Sequence, residues 1–243
     1  MRIFSKTDKG KVRTDNQDAY FAGSIADNAA FAVVCDGMGG ANAGNVASEN
    51  AVRHISEYII RSYRDSMDAV ELEKTLRNAV ASANIELFDM SASEQGLSGM
   101  GTTAVIALIK DGEAVIANVG DSRIYLVNEE IKQLTRDHSV VQSLIESGKI
   151  TPEDAKFHPR KNVITRAIGA EGTVTADSDI IKLNSGDTLL LCTDGLSNYL
   201  DDNEILSVFK NTDISSVPEM LVLKANQNGG GDNITVVTLS QSI

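Results

Sequence analysis

The chain has 243 residues, with 22 Lys and Arg against 34 Asp and Glu and a net charge of −12. That length fits one large domain or two small ones and needs no disulfide or zinc staple, and an apolar fraction of 42% argues against disorder. The acidic balance disfavours nucleic acid as a partner, and the longest clean apolar run, Ala29 to Cys35, is far too short for membrane insertion.

Residues 3–9 predict a first strand, and 19–24 and 29–35 predict two more. The last of these is apolar throughout, the pattern of a strand buried on both faces. Ala47, Ala51, Ile55 and Ile59 recur at helical spacing and predict a helix over 44–64; Leu72, Leu76, Ala79, Ala83 and Leu87 predict another over 68–94. The short link between them makes an antiparallel pair. Strands resume at 102–109, 113–119, 123–128 and 132–134, the first two joined by Asp111-Gly112, a hairpin signature. Residues 137–172 break the pattern with a helical stretch at 140–147 and a small helix opened by Thr151-Pro152. This segment is too small for its own core, so it reads as a flap inserted in a single domain spanning 1–243. Strands at 174–183 and 188–193, helices at 201–209 and 217–226, and a closing strand at 234–239 complete the chain. Hairpin-linked strands with segregated helices predict an α+β fold with antiparallel sheets.

The aspartates fall at informative places. Asp36, Asp121 and Asp194 each end an apolar run beside glycine; Asp232 stands in Gly229-Gly230-Gly231-Asp232-Asn233; Asp18 opens an early strand in Asn16-Gln17-Asp18. Strand ends that share a sheet rim can converge, and converging anions raise one another's pKa unless a cation sits among them. All-oxygen ligands suit Mg²⁺ or Mn²⁺, and Gly37 leaves its carbonyl free to approach an ion. Asp-Gly is also ordinary turn chemistry, so spacing alone leaves both readings open.

Other chemistries fit less well. Asp36-Gly37-Met38-Gly39-Gly40 is no dinucleotide loop, because Asn42 stands where the third glycine belongs and an aspartate would face the pyrophosphate. Gly148-Lys149 is followed by Ile150, which rules out a P-loop. His54, His138 and His158 lack zinc spacing; His54 reads as a helix-surface residue and His158 as a surface-loop residue. Cys35 and Cys192 read as buried, reduced core thiols, and with no apolar leader the chain is expected in the cytoplasm.

Taken together and in order, Arg13-x-x-Asn16-Gln17-Asp18, Asp36-Gly37-Met38-Gly39-Gly40, Gly99-Met100-Gly101-Thr102-Thr103, Gly120-Asp121-Ser122-Arg123, Asp194-Gly195 and Gly231-Asp232-Asn233 resemble a known family. It is that of the bacterial metal-dependent serine/threonine protein phosphatases, protein phosphatase 2C-like (PPM). His158-Pro159 and the stretch 162–169 resemble its bacterial branch. The resemblance spans about residues 5–239 and implies a four-layer α-β-β-α sandwich, two antiparallel β-sheets flanked by antiparallel helix pairs, with metals at one end.

It further implies two Mn²⁺ or Mg²⁺ ions bridged by Asp36. Asp194 and Asp232 would complete the first; the Gly37 carbonyl and, through water, Asp18 would serve the second. Asp121 with Asp194 matches positions that hold a third, weaker ion, and Arg13 matches the arginine that grips the substrate phosphate. The implied reaction is hydrolysis of phosphoserine and phosphothreonine in proteins by a metal-activated water, with no phosphoenzyme. The implied partners are a bacterial Ser/Thr kinase and its phosphorylated substrates. Met38 stands where eukaryotic relatives carry a histidine acid, which leaves a metal-bound water as proton donor ahead of His158; Gln17 stands where many members have glutamate. The rival readings are a catalytically silent phosphoprotein-binding module and a small-phosphoester hydrolase. The complete aspartate set favours an enzyme over the silent module. No heptad or apolar stripe calls for a second copy, so a monomer is expected.

Overall fold

The computed structural model describes residues 1–39 and 43–241; Gly40 and Asn42 of the glycine-rich motif lie outside the described residues. In chain order come β1 (Arg2–Asp8), β2 (Asp18–Ala26), β3 (Ala29–Met38), α1 (Ala43–Ser62) and α2 (Ala69–Ser93). Next are β4 (Gly101–Thr102), β5 (Ala104–Lys110), β6 (Glu113–Val119), β7 (Arg123–Val127) and β8 (Ile131–Gln133). The 137–172 segment contributes α3 (Val140–Glu146) and α4 (Pro152–Ala155). The chain closes with β9 (Asp177–Lys182), β10 (Thr188–Cys192), α5 (Asp194–Ser197), α6 (Asp202–Asn211), α7 (Val217–Gln227) and β11 (Ile234–Ser240).

One sheet has the order β1-β11-β10-β7-β8 and the other β2-β3-β5-β6-β9, with β4 added beside the end of β3. Every pairing is antiparallel. Successive side chains on a strand face opposite ways, so one strand feeds two cores. In β3, Phe31, Val33 and Cys35 pack against α1 and α2, whereas Ala32 and Val34 pack between the sheets. In β10, Leu189 and Leu191 join that inter-sheet core, whereas Leu190 and Cys192 pack under α5, α6 and α7. The result is helices, sheet, sheet, helices, the layering that the family resemblance implied.

Local chemistry explains the boundaries. Asp68 and Asp201, expected as the first residues of helices, instead cap α2 and α6 through reciprocal bonds with Glu71 and Glu204. Asp111 (φ 50°) and Gly112 (φ 83°) make the tight turn between β5 and β6.

Five expectations are corrected. The run 29–35 does not stop before Asp36: β4 supplies partners for Gly37 and Met38, so the strand continues and Asp36 lies within it. The predicted strand 102–109 is interrupted at Thr103, whose N–H turns to the Asp36 carbonyl at 2.9 Å. Asp194 begins a short helix rather than a simple turn, and the strand expected from 174 starts only at Asp177. His54 is half-buried rather than a free surface residue; it bonds Ser82 at 2.9 Å and touches Glu86, tying α1 to α2. Cys35 and Cys192 are buried and unpaired.

Candidate metal centre

At one end of the sandwich a cleft of about 280 Å³ is lined by Arg13, Gln17, Asp36, Gly37, Met38, Asp121, Asp194 and Asp232, with Asn162 and Ile164 from the 137–172 segment. Asp18 lies outside this lining, buried beside Asp36 as its register partner across β2 and β3. A larger hollow of about 490 Å³, between α2 and residues 174–176, has Glu73, Lys74 and Arg77 on its walls and none of the candidate residues.

Each acid is held by identifiable bonds. The Asp36 backbone is clasped by the Thr102–Thr103 pair: Asp36 N–H donates to Thr103 Oγ1 at 2.9 Å, and the Asp36 carbonyl accepts from Thr102 Oγ1 at 2.8 Å and from Thr103 N–H at 2.9 Å. Thr103 Oγ1 in turn meets Ser122 Oγ at 2.8 Å, which joins the Asp36 strand to the Gly120-Asp121-Ser122 turn. One oxygen of Asp18 accepts from Thr193 at 2.9 Å and Thr235 at 2.7 Å. Asn198 donates to Asp194 at 2.9 Å. Asn233 accepts the Gln17 N–H at 2.8 Å and donates to the carbonyls of Lys9 and Asp15, pinning the loop that carries Arg13. Arg13 itself rests on Asp232 at 3.0 Å, with half its side chain exposed.

Gly37 owes its identity to packing as well as to any carbonyl role. A Cβ there would run into the Gly44 carbonyl at the start of α1 and would lie 2.7 Å from the Gln17 carbonyl. The missing side chain lets α1 dock beside the cleft.

The electrostatics is that of anions forced together. Asp36, Asp121 and Asp194 line the cleft and are only partly exposed. Burial, followed by the charges of Asp18, Asp194, Asp121 and Asp232, pushes the Asp36 carboxyl well above the usual range. Burial raises Asp18 to about 7 against the pull of its two threonine bonds. Burial and Asp194 raise Asp121 to about 7; burial and Asp232 raise Asp194 to about 6.

A divalent cation fits this chemistry. Asp18 Oδ1 and Asp194 Oδ1 are buried oxygens with no hydrogen-bond partner, a costly state unless a cation completes them. Among the described residues no three His, Cys, Asp or Glu side chains close into a finished cage. An open arrangement suits Mg²⁺-type ions, which keep several waters and use few protein ligands.

Sequence reasoning placed the aspartates, Gly37 and Arg13 but gave no task to Thr103, Ser122, Thr193, Thr235 or Asn233. Thr102-Thr103, Ser122 and Asn233 did belong to the quoted motifs, so the signal was present without its meaning. His158 is absent from the cleft lining; its Nδ1 accepts the Arg160 N–H at 3.1 Å.

Comparison with known proteins agrees with this architecture. The protein phosphatase 2C family model matches residues 9–220. The serine/threonine phosphatase Stp of Listeria monocytogenes is 42% identical over 243 residues, covering 98% of this chain and 95% of the relative. The protein phosphatase PhpP of Streptococcus pneumoniae is 38% identical, covering 100% of this chain and 98% of its own. Among solved structures, the serine/threonine phosphatase Stp1 from Staphylococcus aureus superposes with a TM-score of 0.93 at 37% identity, covering 99% and 95% of the two chains. The catalytic domain of the phosphatase PstP, solved with two manganese ions, gives 0.84 at 31% identity, covering 98% and 96%. The fold and the acidic cleft thus define a phosphatase of the two-sheet sandwich class. The chain belongs to the protein phosphatase 2C (PPM) family and is a serine/threonine protein phosphatase. Among the described residues no helix is long and apolar enough to cross a membrane.

Proposed function

We propose that the chain hydrolyses phosphoserine and phosphothreonine esters in proteins with two divalent cations, Mg²⁺ or Mn²⁺, held in the acidic cleft. The observation that carries this reading is the pair of partnerless buried oxygens, Asp18 Oδ1 and Asp194 Oδ1, beside a cleft that gathers Asp36, Asp121 and Asp232. Asp36 would be shared between the ions, Asp194 and Asp232 would complete the first, and the Gly37 carbonyl with Asp18, through water, would serve the second. Asp121 with Asp194 would take a third, weaker ion. When bound, such ions would supply a water of lowered pKa and offset charge on the phosphoryl oxygens.

The chain's own groups supply position and selectivity. Arg13 can present a planar fork to two phosphate oxygens, which lysine cannot. Its exposed bridge to Asp232 is worth about 0–1 kcal/mol, so releasing it to a substrate costs little. Thr193 and Thr235 hold Asp18 by one oxygen and leave the other facing inward. The Thr102–Thr103 clasp fixes Asp36 by its backbone, which keeps its carboxylate free. Met38, lining the cleft, has no proton to give, so the leaving alkoxide takes its proton from water in the cleft. Neither serine nor cysteine lines the cleft among the described residues, and burial pushes the Cys35 thiol far up, so neither supplies the nucleophile; in this reading water attacks and no phosphoenzyme is formed. The partners are phosphorylated proteins, including a Ser/Thr kinase that the enzyme opposes; it works as a cytoplasmic monomer.

The test is Asp194→Ala assayed on a phosphothreonine peptide in Mn²⁺, with Mn²⁺ uptake measured by calorimetry. Hydrolysis should vanish and ion binding should weaken. Unaltered turnover, or wild-type turnover in excess chelator, sinks the reading.

A further inference from the structure

The family motifs do not account for the fully buried imidazole of His138. It sits at the base of the flap with its side chain only 1% exposed and both ring nitrogens engaged. Nδ1 accepts the Gly120 N–H at 3.0 Å, and Nε2 meets Asp177 at 3.0 Å. A backbone N–H can only donate, so the ring proton must lie on Nε2 and be given to the Asp177 carboxylate. The His138 backbone repeats the grip, because its N–H donates to the Gly120 carbonyl at 2.8 Å. Gly120 is thus held on both its polar groups by one residue. It also has φ +104°, and a Cβ there would lie 2.5 Å from Thr103 Cγ2, so only glycine lets the turn pack this closely on Thr103. Asp121, the next residue, is carried by this turn into the cleft.

The other side of His138 faces the flap. Its carbonyl accepts the Thr165 N–H at 2.8 Å, Ser139 bridges to Ile164, and Val140 N–H reaches the Val163 carbonyl at 2.9 Å. A short two-stranded ribbon results, and Ile164 on it lines the cleft beside Asn162. Asp177 is itself fastened by Arg166 at 2.6 Å, from the same return limb of the flap. Burial works against the ionised form of Asp177, yet the bonds from His138 and Arg166 leave its pKa below the usual range.

We infer that His138 is a positioning residue that sets the Gly120–Ser122 turn, and with it Asp121, and ties that turn to the flap residues bordering the cleft. This rests on the assignment of Asp121 to the metal centre. A substrate that pushes on Asn162 or Ile164 therefore pushes, through His138, its backbone as well as its ring, on the turn that carries Asp121.

Two substitutions divide the ring's duties. His138→Asn keeps an acceptor where Nδ1 stands and loses the reach to Asp177; His138→Gln places a donor where Nε2 stands and leaves the Gly120 N–H without its acceptor. Amide hydrogen exchange at Gly120 reads the clamp directly, and kcat and KM on a phosphothreonine peptide in Mn²⁺ read its consequence. In His138→Gln, Gly120 should lose protection and kcat should fall roughly tenfold with KM little changed. His138→Asn should keep the protection. In an Asp121→Asn background, His138→Gln should cause no further loss, since both act through one carboxylate.

Unchanged Gly120 protection in His138→Gln, or a loss that multiplies fully on top of Asp121→Asn, overturns the inference. Should His138→Gln fail to fold, His138→Asn decides: kept Gly120 protection supports the clamp, and lost protection, with an acceptor still standing where Nδ1 was, overturns it. Wild-type turnover in Asp121→Asn alone would instead sink the role of Asp121, leaving the exchange result as the measure of the clamp.

Discussion

The dry middle of the sandwich and its acidic end are built from the same strands and make opposite demands on them. In β3, residues 29–35 are 0–1% exposed and divide between two apolar cores. One residue further, Asp36 faces Asp18 across the strand pair and shares a cleft with Asp121, Asp194 and Asp232. Like charges placed opposite each other in a sheet destabilise it. The acidic end therefore depends on the apolar middle to hold its carboxylates where they would not gather by themselves. Buried leucines supply the stability; the aspartates draw on it to stay poised for cations.

The sharpest way to break this contrast is Asp36→Asn. Losing several kcal/mol of cation-centred stabilisation should cut hydrolysis of a phosphothreonine peptide by about 10³-fold or more. The urea midpoint of the metal-free protein should hold or rise, because one repelling anion is gone. If activity persists, the acidic end is not the reactive one. The complementary change is Leu191→Ala in the inter-sheet core, where the side chain is fully buried. It should cost about 2–5 kcal/mol in urea unfolding, with kcat of the folded fraction unaltered. A cost near zero would mean that the middle is not what holds the rim together.

Acidity gives a third, smaller handle. Asp18 and Asp121 rise from an ordinary 3.8 to about 7, Asp194 to about 6. The metal-free folded chain thus holds protons that the unfolded chain releases, and stability falls as protonation of the unfolded state drops below that of the folded state. With chelator present, the urea midpoint should decrease as pH climbs from about 4 to about 7. Saturating Mn²⁺ should flatten or reverse that slope, since cations take the ionised form. A midpoint that rises with pH in chelator would show that the carboxylates are satisfied without ions.

The middle was more legible in the sequence than the rim. Unbroken apolar runs such as 29–35 and Leu189–Cys192 mark buried strands, and the order of strands and helices marks an α+β architecture, whereas the four-layer sandwich came from the family resemblance. The aspartates could be singled out because glycine and apolar runs flank them. What supports them could not, because the partners are distant: Thr193 and Thr235 reach Asp18 over 175 and 217 residues. Nor could the continuation of β3 past Asp36, since Gly37 and Met38 look like a turn until their β4 partners Thr102 and Gly101 arrive from far along the chain. His138 has no motif spacing at all, and its task appears only when Gly120 and Asp177 close on it from two other segments.

Arg13→Lys tests the smallest difference between the two regions. Arg13 is half-exposed, and its bridge to Asp232 lies at the cleft edge, so the stability change should stay within about 1 kcal/mol. Lysine keeps the charge but not the two-pronged geometry, so KM for a phosphothreonine peptide should rise by roughly tenfold or less. The loss of affinity should persist when the neighbouring Asp232 is left intact, because the exchange removes a fork rather than a charge. If instead Arg13→Lys unfolds the protein at lower urea while KM stays put, the arginine serves the fold, and the boundary between supporting and reacting parts lies deeper in the cleft than the rim.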